Sequence, residues 1–359
     1  MSAVNLKTML TAAALASGLF LSGIVAAPPA AHAQEADEPT AQRSALATAW
    51  RRMQAGEYAV ARGLLEPLVA AGRADAQHML GYMEERGLGG DVDLKRALDL
   101  YFTAASKGSV DAQFSLGEMA FLGDGVKRDY KRARGWYELA SEKNHGPAKV
   151  RLGAIYAAGL GLENPDHIKA LDYFKQAADL GEVEAQYNVG VAYLIGRGVE
   201  KDYKTAEGWL RLAAEKGNPD AQYNLALLHD TDFLGARDPE KTLQWMQAAA
   251  DKGLPPALNA LGQMHMEGRA GVSDEKRRHK IAADIFEKSA KAGDAKGQFL
   301  YALSLANGQG RLRNLDEAVV WLDRARAQAR SLDPNTTAAI EKLRTDVVAV
   351  INGPALLRE

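Results

Sequence analysis

The 359-residue sequence contains no cysteine. That excludes disulfides, thiol catalysis, iron–sulfur clusters and cysteine-based zinc sites, and also a lipidated cysteine at a mature N-terminus. Aromatic residues are sparse, at 7%. Neither sign of charge dominates, with 44 Lys and Arg against 46 Asp and Glu. Nucleic-acid-binding chains ordinarily carry a basic excess, so nucleic acid is not an expected partner. No HExxH sequence occurs, and no Ser/His/Asp or Cys/His set stands in a recognisable setting. The sequence therefore assigns no catalytic residue, no cofactor and no metal ligand. Beyond residue 34 there is no apolar run long enough to cross a bilayer.

What is present begins with an export signal. Lys7 precedes a stretch from Met9 to Ala27 that is apolar or small and uncharged, and Ala31-His32-Ala33 has the small-x-small form of a cleavage site. Cleavage is expected after Ala33, leaving a periplasmic or secreted chain with no stable membrane insertion; an uncleaved anchor is the alternative. Residues 34–44 are polar and read as a flexible leader.

The rest of the chain repeats itself. AQHMLGYMEERGLGG from Ala76, AQFSLGEMAFLGDGV from Ala112, AKVRLGAIYAAGLGL from Ala148, AQYNVGVAYLIGRGV from Ala185 and AQYNLALLHDTDFLG from Ala221 start 36, 36, 37 and 36 residues apart. Looser copies follow from Ala257 and Gly297. Apolar and small residues in each copy fall at helical spacing, as in Ala185, Val189, Ala192 and Tyr193. A small residue recurs mid-helix at Gly81, Gly117, Gly153, Gly190, Ala226, Gly262 and Ala302. Glycine there is unfavourable by about 1 kcal/mol relative to alanine, so its recurrence predicts a close approach by a partner. Each second half carries small residues one turn either side of an aromatic, as in Ala206, Trp209 and Ala213, which predicts aromatic knobs in alanine holes.

Gly-x-Gly pairs such as Gly123 and Gly125 predict left-handed helix ends. Asp93, Asp129, Asp166, Asp202, Asp238 and Asn314 predict caps for the next helix. One such hairpin cannot bury its apolar face alone, whereas stacked hairpins share a core. The expected fold is all-α, a right-handed α/α superhelix of helix–turn–helix repeats. The expected organisation is a degenerate N-terminal hairpin at 45–73, repeats at 74–109, 110–145, 146–182, 183–218, 219–254, 255–294 and 295–333, and a C-terminal capping helix at 334–359.

The pattern Ala-Gln-x-x-Leu-Gly, then Gly-x-Gly-Val, then Ala-x-x-Trp-x-x-x-Ala-Ala-x-x-Gly resembles the Sel-one-like repeat (SLR) family, relatives of the tetratricopeptide repeat, over residues 74–333. The resemblance implies an adaptor in macromolecular complexes; exported bacterial members are associated with envelope signalling, exopolysaccharide regulation and secretion, or host contact. Three departures stand out. The copy from Ala221 has Asp232-Phe233-Leu234 where Gly-x-Gly belongs, and the copy from Ala257 has four extra residues near Ser273 to Lys280. Cysteine-stapled members place disulfides between helices, and this chain has none.

In such superhelices the first helix of each repeat lines a concave face. That places Phe114, Phe121, Tyr187, Asn188, Leu194, Tyr223, Asn224 and Asp230 as candidate partner-binding residues, a set of aromatics beside amides and acids that suits a peptide groove. The competing reading is that Tyr187 and Tyr223 only pack between repeats. His229 and His265 sit at the same position in neighbouring repeats, but stacked helices lie roughly 10 Å apart, too far to share one metal. The run Lys276-Arg277-Arg278-His279-Lys280 reads as a solvated basic turn, with contact to an acidic polymer or protein as the alternative, and Lys127 to Arg134 form a second basic stretch. Together these features predict a non-enzymatic scaffold for a protein or peptide. The alternative is a module for an envelope glycan, peptidoglycan or exopolysaccharide; an envelope hydrolase is the third reading.

Overall fold

The computed structural model describes residues 40–353. The signal segment, its cleavage site, residues 34–39 of the leader and residues 354–359 lie outside the described residues. The described chain is all-α, with seventeen α-helices, one short 3-10 turn and no strand among the described residues. Helices α1 (Thr40–Gln54) and α2 (Tyr58–Ala70) form the first hairpin, so residues 40–44 are helical rather than leader. Seven further hairpins follow, each an A helix and a B helix. They are α3 (Ala74–Arg86) and α4 (Leu94–Ser106), α5 (Val110–Leu122) and α6 (Tyr130–Glu142), α7 (Gly146–Ala158) and α8 (His167–Asp179), and α9 (Val183–Ile195) and α10 (Tyr203–Glu215). The last three are α11 (Pro219–His229) and α12 (Pro239–Asp251), α13 (Pro255–Met266) and α14 (Glu275–Lys291), and α15 (Ala295–Asn307) and α16 (Leu315–Ala327). Helix α17 (Pro334–Asn352) ends the series.

The described chain divides into two compact units. One runs to Ala192 and includes Gly196–Lys201; the other holds Tyr193–Ile195 and everything from Asp202 onward. Within each, a helix packs chiefly on its hairpin partner and on the hairpin that follows. That is the arrangement of an α-solenoid, in which one hairpin supplies the cover for its neighbour.

The two helices of a repeat are buried differently. A B helix buries one stripe, such as Ala133, Tyr137, Ala140 and Ser141 on α6, which is the i, i+4, i+7, i+8 pattern of a helix with one wet face. An A helix is enclosed. Ten of the thirteen residues of α7 are buried, and so are nine of the eleven of α11.

The mid-helix glycine is explained by the B helix. A β-carbon on Gly81 would lie 2.7 Å from the Tyr101 ring, and one on Gly153 would lie 2.6 Å from the Phe174 ring. Gly117 against Tyr137 and Gly262 against Phe286 are tighter still. Where the small residue is alanine, the B-helix residue in the same core is aliphatic: Ala226 with Met246, and Ala302 with Leu322. The knob is therefore one residue later than the sequence pattern suggests. Trp209 is half-buried and Leu210 is buried; Trp136 is half-buried and Tyr137 is buried. The reason is spacing, because Ala206, Leu210, Ala213 and Ala214 share one helix face and Trp209 lies at its margin.

The motif glutamine ties repeats together. Gln113 Nε2 donates to the Ala105 carbonyl at 3.4 Å, and Gln222 Nε2 donates to that of Ala214 at 3.0 Å. Both acceptors lie in the last turn of the preceding B helix, where carbonyls lack helical partners. The turn glycines do two jobs. The first of each pair ends the A helix in the left-handed region, as at Gly123 with φ 87°. The second seats on the start of the preceding B helix. A β-carbon on Gly125 would lie 2.9 Å from Leu94 Cβ, and one on Gly161 would lie 2.9 Å from Tyr130 Cβ. Gly198 and Gly310 press on the carbonyls of His167 and His279. The expected caps form: Asp93 accepts from Arg96 N at 2.9 Å and Asp129 from Arg132 N at 3.0 Å.

Both repeat-pattern departures resolve into local structure. Phe233 takes the place of the seated glycine by stacking on Tyr203, the first residue of α10, with centroids 4.4 Å apart. The four extra residues of the sixth repeat are not a loop. They extend α14 to 17 residues, whereas B helices such as α12 have 13. The basic run thus belongs to the first turns of a helix, not to a solvated turn.

Candidate partner-binding face

The A helices are the elements on which the sequence places a partner, so their free surface is what remains after packing on both sides. Of the eight candidate residues, Phe121, Tyr187, Leu194, Tyr223 and Asn224 are buried. Phe121 meets the Tyr130 ring edge-on at 5.2 Å. Leu194 and Tyr223 belong to one core with Leu227 and Leu228. Burial pushes the Tyr223 hydroxyl up to about 12. Phe114, Asn188 and Asp230 are half-buried. Asn188 Nδ2 donates to the Glu184 carbonyl of its own helix at 2.9 Å. Asp230 pairs with Arg269.

Phe114 sits in the richest setting. Its ring centroid is 4.8 Å from that of His145 and 5.7 Å from that of Tyr137. His145 Nε2 lies 3.6 Å from Asp111 Oδ1, and His145 Nδ1 accepts from Ala148 N at 3.1 Å. On the same helix as Phe114, Ser115 Oγ is 3.2 Å from His78 Nε2. Burial holds the buried His78 below the ordinary histidine value, with Asp111 acting the other way.

Beside Phe114 lies a charged network that the sequence reading did not single out. Arg151 is 5% exposed and grips Glu118 with two parallel bonds, Nε to Oε1 at 2.7 Å and Nη2 to Oε2 at 2.9 Å. The Tyr137 hydroxyl donates to the same Glu118 at 2.5 Å. Burial, and then the Glu118 charge, push the Tyr137 hydroxyl far above its ordinary value. The Tyr101 hydroxyl makes the corresponding bond to Glu85 at 2.8 Å one repeat earlier. The readable signal was the position of Glu118 next to the motif Gly117 and of Arg151 two before Gly153, columns one helical turn apart in successive repeats. Such a network fixes side-chain positions.

His229 faces Glu207 at 3.6 Å, and burial lowers both His229 and His265. Among the described residues no three His, Cys, Asp or Glu side chains gather in a way that could hold a metal ion. No described helix is long and apolar enough to cross a membrane.

Known proteins resemble this chain along most of its described length. A crystal structure of a Sel1 repeat protein from Oxalobacter formigenes is 28% identical, with a TM-score of 0.67 over 85% of this chain and 88% of its own. A protective antigen of uropathogenic Escherichia coli displaying an SLR fold is 26% identical, with a TM-score of 0.59 over 86% of this chain and 72% of its own. The HRD3B component of an ERAD-associated E3 ubiquitin-protein ligase from Arabidopsis thaliana is 40% identical over 52 residues, 14% of this chain and 9% of that protein. This chain thus matches less than a tenth of that relative's length. The Sel1 repeat model matches residues 74–109, 110–145, 146–182, 183–218, 219–254, 255–294 and 295–329. With these repeats spanning more than half of its length, the chain belongs to the Sel1 repeat family.

Proposed function

We propose that this protein is a non-enzymatic, extracytoplasmic scaffold that holds a protein or peptide segment against its A helices. The observation that carries the reading is the setting of Phe114. A half-buried ring, held between Tyr137 and His145 and bordered by Asp111 and Glu118, is a rigid anchor with hydrogen-bonding groups around it. Interface hot spots have that anatomy, an immobilised aromatic inside a polar surround. The family supports the same class of role, since Sel1 repeats are an interaction architecture and the HRD3B relative is by name a component of a larger complex. The titratable groups nearest Phe114 are engaged in holding the fold: Glu118 by Arg151 and Tyr137, and His145 as a helix cap.

A glycan would stack on open aromatic faces. Here Tyr156 stacks on Tyr173 at 5.6 Å and the Lys169 ammonium covers Tyr156 at 4.3 Å, so that ring offers a sugar no open face, which supports the protein-partner reading. Location outside the cytoplasm rests on the N-terminal apolar segment and the cleavage pattern of Ala31 to Ala33.

Affinity capture from envelope extract with the full chain and with Phe114→Ala plus Asn188→Ala tests the binding reading. Loss of a captured protein from the variant, at unchanged helix content, is expected. Undiminished capture would remove the A-helix face from consideration. Fusion of alkaline phosphatase to the C-terminus tests location, since that enzyme is active only outside the cytoplasm; an inactive fusion overturns it.

A further inference from the structure

The inserted turn of α14 has no part in the binding role above. Its four extra residues lengthen the helix by about 6 Å at roughly 1.5 Å per residue. The repeat stack does not cover this extension. The turn of the next repeat seats on His279, where Gly310 presses on its carbonyl, and Glu275 to Arg278 lie before that point. Lys276, Arg277 and Lys280 are exposed and make no ion pair within the described residues. Other arginines of this edge are used internally. Arg311 pairs with Asp284 and Glu287, each at 2.5 Å, and Arg278 donates to the Ser273 carbonyl at 3.2 Å. Cations in the first turn of a helix oppose its dipole, so Lys276 and Arg277 do not stabilise the helix they stand on.

On the adjoining turn is Leu312, 92% exposed, the most exposed large apolar side chain among the described residues. It lies two residues after Gly310, the glycine that presses on the His279 carbonyl and the Lys280 backbone nitrogen, so its turn adjoins the start of α14. We propose that the first two turns of α14 and Leu312 together form a docking site for the surface of an anionic lipid bilayer. The cations suit headgroup phosphates, and the leucine suits the acyl layer just beneath them. The leucine decides between polyanions, because an acidic polysaccharide or peptide offers charge but no apolar layer for an aliphatic tip. Docking of this kind is peripheral and requires no membrane-spanning helix.

The absence of cysteine allows a single label. An environment-sensitive nitrobenzoxadiazole probe on Leu312→Cys reports this site alone, whatever the N-terminal apolar segment does. With phosphatidylglycerol vesicles its emission should rise and shift to the blue, and phosphatidylcholine vesicles should leave it unchanged. Adding Lys276→Gln, Arg277→Gln and Lys280→Gln should weaken vesicle affinity about a hundredfold, at about fivefold per cation, and salt should weaken it in the parent. Co-sedimentation of unlabelled Leu312→Ser should fall below that of the parent. An unchanged emission with anionic vesicles, an equal response to phosphatidylcholine, an undiminished response in the triple variant, or the same response to polyglutamate would each overturn the proposal.

Discussion

The ring of Phe174 occupies the space that a β-carbon on Gly153 would need, its Cδ1 and Cε1 lying 2.6 Å from that point. Helix propensity favours alanine over glycine by about 1 kcal/mol, but overpacking a close-packed core costs about 1–3 kcal/mol. Gly153→Ala should therefore lower stability, by roughly 1 kcal/mol net. Gly135, on α6, would meet nothing within 4 Å. Gly135→Ala should raise stability by up to about 1 kcal/mol. Chemical denaturation of the two variants checks the opposite signs.

The alanine–aliphatic pairs of the fifth and seventh repeats, Ala226 with Met246 and Ala302 with Leu322, point to a compensating change. Phe174→Leu alone should destabilise the chain by opening space beside Gly153. Combined with Gly153→Ala, the loss should be smaller than the sum of the single losses by about 1 kcal/mol. A double-mutant cycle measures this coupling; additive losses would mean that the two positions do not share one cavity.

Glu118 accepts both short bonds of buried Arg151 and that of the Tyr137 hydroxyl. Removing it with Glu118→Ala leaves a cation at 5% exposure without its hydrogen-bonded carboxylate, which should destabilise by about 3 kcal/mol. Glu118→Leu with Arg151→Met replaces the pair by apolar groups of similar volume and should recover most of that loss. Denaturation midpoints of the single and double variants decide it.

Acid should loosen the N-terminal unit through His78. Burial lowers its folded-state value below the ordinary 6.5, so the fold prefers the neutral ring. Above pH 6.5 both folded and unfolded histidines are neutral, and this stability is fully present. As pH falls below 6.5 the unfolded state takes up a proton first, and stability is lost until the folded-state value is passed. His78→Gln should flatten the dependence of the melting temperature between neutral and mildly acid pH; an unaltered slope would assign the effect elsewhere, for instance to His229 and His265, which burial also lowers.

Much of this was readable in the sequence, for a reason particular to repeats. Each structural column recurs, so Asp93, Asp129 and Asp166 identify themselves as caps by returning at the same place. Periodicity within one hairpin also shows which residues face the hairpin partner. It does not show what the adjacent hairpins cover. Tyr187 and Tyr223 sit on a helix face that one hairpin would leave open and that its surroundings bury. The Glu118–Arg151 clamp was missed for the same reason, since its members are 33 residues apart and belong to different repeats. The extra turn of α14 was misread because a run of cations at a helix start contradicts local preference.

The seating of the second turn glycine has a consequence for how such a chain can grow. Gly125 and Gly161 rest on the β-carbons of Leu94 and Tyr130, and Gly198 and Gly310 on the main-chain oxygens of His167 and His279. These atoms exist whatever side chain stands there, so the seam asks for no particular neighbour. At this seam a unit copied or deleted by recombination would need no matching substitution, and the side-chain pairs that join particular repeats, such as Glu118 with Arg151, would be the contacts left to re-form.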